Sequence, residues 1–143
     1  MGSLLFVVLA ILGTTTMIVG STSQAWADVI EGTEGPDFIE GTEGDDVIDS
    51  KGGDDSNFGD TFFGDGSGDD IIASGEGDDV NVGDFSFRGQ GSGNDIIASG
   101  EGEDQSTGNG GADIFVCGGG EEDTVTDFNE AEGDIVTPDC ENV

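Results

Sequence analysis

An aspartate that returns every nine residues, each time after a Gly-rich turn and before a short apolar pair, constrains this chain more than any other feature. The interval is set in 41–55, GTEGDDVIDSKGGDD, by Asp46 and Asp55. Carried along the chain, the comb falls at Asp37, Asp46, Asp55, Asp70, Asp79, Asp95, Asp104, Asp113 and Asp123, with a ragged last copy at Asp134. Nine residues are too few for a helical repeat and fit a stacked strand-turn unit. Gly accepts the positive backbone angles of tight turns, while Ile and Val suit strands. The expectation is an all-β stack.

The comb changes step twice. Its gaps run 9, 9, 15, 9, 16, 9, 9 and 10 from Asp37 to Asp123, and the enlarged gaps hold GDTFFG (59–64) and GDFSFRG (83–89). Around them lies a second-level repeat, DDSNFGDTFFGDGSGDDIIASGEG from Asp54 and DDVNVGDFSFRGQGSGNDIIASGEG from Asp78. If two units make one coil, both insertions occupy the same class of turn and protrude side by side. Phe62 and Phe63 then neighbour Phe85 and Phe87 as an aromatic contact ridge; the alternative is that these rings fold back over the open side of a thin core.

Behind the comb the apolar positions are Ile39, Ile48, Ile72, Ile97, Phe115 and Val125, but Asn57, Asn81 and Ser106 hold the equivalent place in three units. Two readings stand: an internal hydrogen-bonded ladder, or a register shift that turns Phe58 and Val82 inward.

The ends differ from the repeats. Residues 1–27 carry no charged side chain, contain the apolar runs 4–12 and 17–19, and end Ala25-Trp26-Ala27. This reads as a secretory signal cleaved before Asp28, although the leading segment lacks Lys or Arg. An uncleaved membrane anchor is the alternative, and both place the acidic part outside the cytosol. At the other end, after a roll spanning 28–116, residues 117–143 read as a cap, since a stack otherwise ends in an open edge and a bare core. Cys117 and Cys140 flank this segment; an isolated pair in a secreted chain predicts a disulfide. A metal-binding thiol pair is the weaker reading, with no His or further Cys to complete it.

Charge narrows the partners. There are 33 acidic residues against Lys51 and Arg88, no His, and a net charge of -31, all the acids lying in the last 116 residues. Such a chain repels nucleic acid and anionic membrane surfaces. High charge and 28 Gly also oppose compaction without a counterion. Strands in a sheet lie about 4.8 Å apart, so the comb would stack carboxylates at that spacing. Each neighbouring pair then repels by roughly 3–4 kcal/mol at an effective dielectric of about 20. A divalent ion between them reverses the sign. Ca2+ takes six to eight carboxylate and carbonyl oxygens, whereas Mg2+ demands a tighter octahedron and keeps its waters. The segment DGSGDDIIASGE (65–76) imitates an EF-hand loop but lacks the glycine at its sixth position and flanking helices.

GTEGDDVID, SGEGDDVNV and GNGGADIFV resemble the nonapeptide of RTX (hemolysin-type) calcium-binding repeats, and DTVTDFNEAEGDIV resembles the tail that closes such arrays. The resemblance covers about 30–136. It implies a right-handed parallel β-roll, a β-solenoid with two strands per coil, and several Ca2+ ions in the turns. The ligands it implies are the comb residues from Asp37 to Asp113, and by extension Asp123, with turn carbonyls such as those of Gly41, Gly44, Gly75, Gly77, Gly100 and Gly102. Ser50-Lys51 and Glu121-Glu122 depart from the pattern and weaken their turns.

Two functions follow: a secreted calcium-binding module that folds around its ions, or a structural or adhesive surface protein whose Phe-bearing edge self-associates or meets a cell-surface partner. An enzyme has little support, as the chain offers no His or Tyr for acid-base work.

Overall fold

A computed structural model describes residues 7–10, 16–19, 27–62, 66–85, 91–120 and 122–143. It contains thirteen strands: β1 (Val7–Ala10), β2 (Thr16–Val19), β3 (Val29–Glu31), β4 (Asp37–Thr42), β5 (Val47–Asp49), β6 (Ser56–Asp60), β7 (Ile71–Glu76), β8 (Val80–Val82), β9 (Ile96–Glu101), β10 (Gln105–Thr107), β11 (Ile114–Gly119), β12 (Thr124–Val125) and β13 (Ile135–Val136). No helix occurs among the described residues. The EF-hand reading of 65–76 is not met: Ile71–Glu76 is strand β7, and no helix occurs beside it among the described residues.

The strands form two sheets. One runs β1-β2-β4-β6-β8-β10-β12 and the other β3-β5-β7-β9-β11-β13. Every pairing is parallel except the β1–β2 hairpin, whose second strand lies along β4. Successive strands alternate between sheets, so the chain is a β-solenoid of about five coils, two strands to each.

The period-2 alternation of strand side chains decides what is inside. In the second sheet Ile30, Ile48, Ile72, Ile97 and Phe115 stack in register and are buried, while Val29, Val47, Ile71 and Ile96, one residue earlier, stay exposed. Facing them in the first sheet is the column Ile39, Asn57, Asn81, Ser106 and Val125. Of the two readings of Asn57 and Asn81, the ladder is the one realised: both are fully buried, and Phe58 and Val82 point outward. Asn57 Nδ2 donates to Asn81 Oδ1 and to Ser50 Oγ, each at 3.0 Å. Ser74 Oγ donates to Asn81 Oδ1 at 2.6 Å, and the Ser99 and Ser106 hydroxyls meet at 2.9 Å.

Both insertions leave the first sheet for the second, after β6 and after β8, and so share one edge. The Phe62 and Phe85 rings are 4.7 Å apart between centroids, and Phe58 lies 4.8 Å from Phe62 and 5.8 Å from Phe85. Phe38 joins them at 5.9 Å from Phe62. Glu40 Oε1 holds the first insertion in place by accepting from Thr61 Oγ1 at 2.7 Å and from the Phe62 N–H at 2.9 Å. Phe62 and Phe85 thus neighbour one another beside Phe58 of β6. Phe63 and Phe87 lie outside the described residues.

The C-terminal segment continues the solenoid. β13 adds to β11, and Asn142 bridges to Thr124 along β12. Cys117 and Cys140 form a disulfide, with Cα atoms 5.2 Å apart. Phe128, Val136 and Cys140 pack against the end of the core.

Candidate metal centre

Each comb residue ends a Gly-rich turn, and the two sheets sort them into two columns. Asp46, Asp70, Asp95, Asp113 and Asp134 follow turns from the first sheet to the second; Asp37, Asp55, Asp79, Asp104 and Asp123 follow the return turns. All ten side chains are buried. Each column is one repeated hydrogen bond. The N–H of Asp46 donates to Asp70 Oδ1 (2.8 Å), Asp70 to Asp95 (2.9 Å), Asp95 to Asp113 (2.9 Å) and Asp113 to Asp134 (3.0 Å). On the other edge Asp37 donates to Asp55 (2.8 Å), Asp55 to Asp79 (2.8 Å), Asp79 to Asp104 (2.9 Å) and Asp104 to Asp123 (3.0 Å). Glu141 ends this column by accepting from the Asp123 N–H at 3.1 Å.

One oxygen of each of the eight accepting carboxylates is thereby used, and the other decides the chemistry. Oδ2 of Asp55, Asp70, Asp79, Asp95 and Asp104 is buried with no hydrogen-bond partner. Where a turn supplies a donor Oδ2 is satisfied, as at Asp37 by the Thr33 N–H, Asp46 by Thr42 and Asp134 by the Asn129 N–H. A buried unpaired carboxylate is costly, and burial pushes these groups up: Asp70 to about 8, Asp79 and Asp95 to about 7, Asp104 to about 6. The rung N–H works against burial, and the neighbouring Asp charges add to it.

The turn backbone supplies further oxygens. The carbonyls of Gly44, Gly75, Gly77, Gly100 and Gly102 each face the bare Cα of a residue one coil on: Gly68, Gly100, Gly102, Gly118 and Gly120. A Cβ at those positions would strike the carbonyl, so glycine is required by close approach, and at Gly100 and Gly102 by φ of +109° and +150° as well. A Cβ at Gly41 would collide with the Gly59 carbonyl and with Asp46 Oδ2. Unpaired carboxylate oxygens, hard carbonyls and the absence of nitrogen or sulfur donors fit a hard divalent cation.

The RTX calcium-binding nonapeptide repeat family matches 27–56, 60–80 and 91–115, in four copies, over more than half of the chain. The chain belongs to this family. No curated protein and no solved structure matches it. Eight of the comb residues, Asp37, Asp46, Asp55, Asp70, Asp79, Asp95, Asp104 and Asp113, lie within the matched segments. In the two turns that depart from the repeat, Lys51 and Glu122 adopt positive φ of +79° and +81°.

Two acidic residues escaped the repeat pattern. Asp60 and Asp84 are fully buried, and with Asp70 they bring carboxylate oxygens within 4.8 Å of one another. Their signal was present in the sequence: each follows the Gly that opens an insertion, Gly59-Asp60 and Gly83-Asp84.

Proposed function

We propose that this RTX repeat chain is a secreted module whose compact form is assembled by several Ca2+ ions in its turns. The observation that carries this reading is the set of five buried Oδ2 atoms without partners, ranged along both edges of the stack. Asp37, Asp46, Asp55, Asp70, Asp79, Asp95, Asp104, Asp113 and Asp123 would hold the ions with the turn carbonyls; calcium supplies the positive charge that ends their mutual repulsion. The buried apolar cluster contains eight residues, too thin a core to hold such a polyanion together alone. Folding and ion binding are then one event.

Secretion fits the same scheme. Residues 1–27 serve as the cleaved signal, and removal after Ala27 turns the Asp28 N–H, which donates to Asp46 Oδ1 at 2.6 Å, into an ammonium against that carboxylate. Residues 117–143 act as the cap, held by the disulfide and the Glu141 rung. Extracellular calcium would drive folding after export. The test is a titration of residues 28–143 followed by circular dichroism: millimolar Ca2+ should raise the β signal cooperatively and equal Mg2+ far less, and equal responses to both would contradict the assignment.

A second reading, surface adhesion or self-association, draws on the Phe62–Phe85 contact, where both rings stay half-exposed. It predicts Ca2+-dependent dimers that Phe62→Ser with Phe85→Ser abolishes, read by sedimentation. Monomers under all conditions would reject it.

A further inference from the structure

Asp60 and Asp84 occupy a place where neighbouring coils carry neutral residues. Asp60 pairs in register with Thr42, and Asp84 stands one coil before Asn109. At Thr42 the N–H and hydroxyl both donate to Asp46 Oδ2. Asp60 puts a carboxylate at that place instead, and Asp70 Oδ2 is left without a donor. Both Asp60 oxygens and Asp84 Oδ1 are likewise unpartnered, and both side chains are 0% exposed. The Asp84 carboxyl and the Gly68 and Phe85 N–H groups lie close around Asp60, none of them in full hydrogen-bond geometry. Asp84 Oδ2 accepts from the Gly93 N–H at 2.6 Å.

Three buried carboxylates converging on one point repel unless a cation lies among them. The surroundings also supply carbonyl oxygen: a Cβ on Gly66 would meet the Phe85 carbonyl and Asp60 Oδ2, and one on Gly91 would meet the Gly66 carbonyl. We propose that Asp60, Asp70 and Asp84 form a separate Ca2+ site at the root of the two insertions, outside the nonapeptide pattern. It rests on the calcium reading of the comb for the identity of the ion, and Asp70 belongs to both. An ion there ties the two insertions together: Phe62 lies two residues beyond Asp60, and Phe85 directly follows Asp84. The aromatic ridge is then ordered by its own ion.

The experiment counts Ca2+ on residues 28–143 by native mass spectrometry, comparing wild type with Asp60→Thr/Asp84→Asn. These residues are already accommodated at Thr42 and Asn109. The double variant should carry one ion fewer and keep its Ca2+-induced β signal, while its near-ultraviolet phenylalanine signal weakens. An unchanged count overturns this site alone, and the two aspartates then share a proton instead. Failure of the wild type to take up any Ca2+ overturns this site and the comb together. If the double variant does not fold, isosteric Asp60→Asn decides by the same count: one ion fewer supports the site, an unchanged number rejects it.

Discussion

The Asp55 N–H donates to Asp79 Oδ1 at 2.8 Å, while Asp79 Oδ2 faces the buried turn with no partner. Asp79 is thus half structural rung and half ligand. Its neighbour Asp78 is exposed and accepts from the Glu103 N–H at 3.0 Å. Asp79→Asn keeps the rung oxygen and removes the charge, so Ca2+ affinity should fall about tenfold or more, as expected for losing a charged ligand worth at least ~1.4 kcal/mol. In chelator the same variant should be at least as ordered as wild type, because one buried repulsion is gone. Asp78→Asn should change either property little. Calorimetric titration checks the ranking, and the reverse order would put the register off by one.

The metal-free chain should respond to acid against the usual trend. Burial raises Asp70, Asp79, Asp95 and Asp104 to about 8, 7, 7 and 6, above the unfolded value of 3.8. The folded form therefore binds more protons between pH 4 and 8, and stability falls as pH rises through that window. In chelator, acidification from pH 8 to 5 should increase the β signal. In Ca2+ the dependence should reverse, since protons then compete with the ion. Circular dichroism across this range distinguishes the two slopes.

Much of this was legible in the sequence because the repeat is local. The nine-residue spacing fixes which aspartates share an edge, and the two longer gaps place both insertions on one edge, so the Phe62–Phe85 contact was foreseeable. The facing of Asn57 and Asn81 was not, because an amide is tolerated inward only if partners arrive from other coils; Ser50, Ser74 and the second Asn provide them. Asp60 and Asp84 escaped for a related reason: their burial follows from where the insertions fold back, which no periodicity encodes. Glu141 likewise becomes a rung only because the final residues return along β12.

Glu122 holds φ of +81°, exposed, in an already acidic turn. An L-residue there costs roughly 1–2 kcal/mol, part of which glycine gives back through the unfolded chain. Glu122→Gly should therefore stabilise the Ca2+-loaded protein by about 0.5–1 kcal/mol, measured as a higher Tm. A lower Tm would show that the turn depends on the side chain.

Reducing the Cys117–Cys140 disulfide opens a loop with a sequence separation of 23 at the end of the core. A loss of roughly 3 kcal/mol is expected in Ca2+. Thermal unfolding with and without reductant measures it, and an unchanged Tm would mean that the Glu141 and Asn142 contacts alone close the stack.

The central claim is that this polyanion is compact only with its ions. Small-angle X-ray scattering of residues 28–143 at pH 7.5 tests it directly. The radius of gyration should lie near 13–15 Å in millimolar Ca2+ and near 35 Å in chelator, about the values for a folded and an unfolded chain of this length. Equal compact dimensions in both would contradict the account.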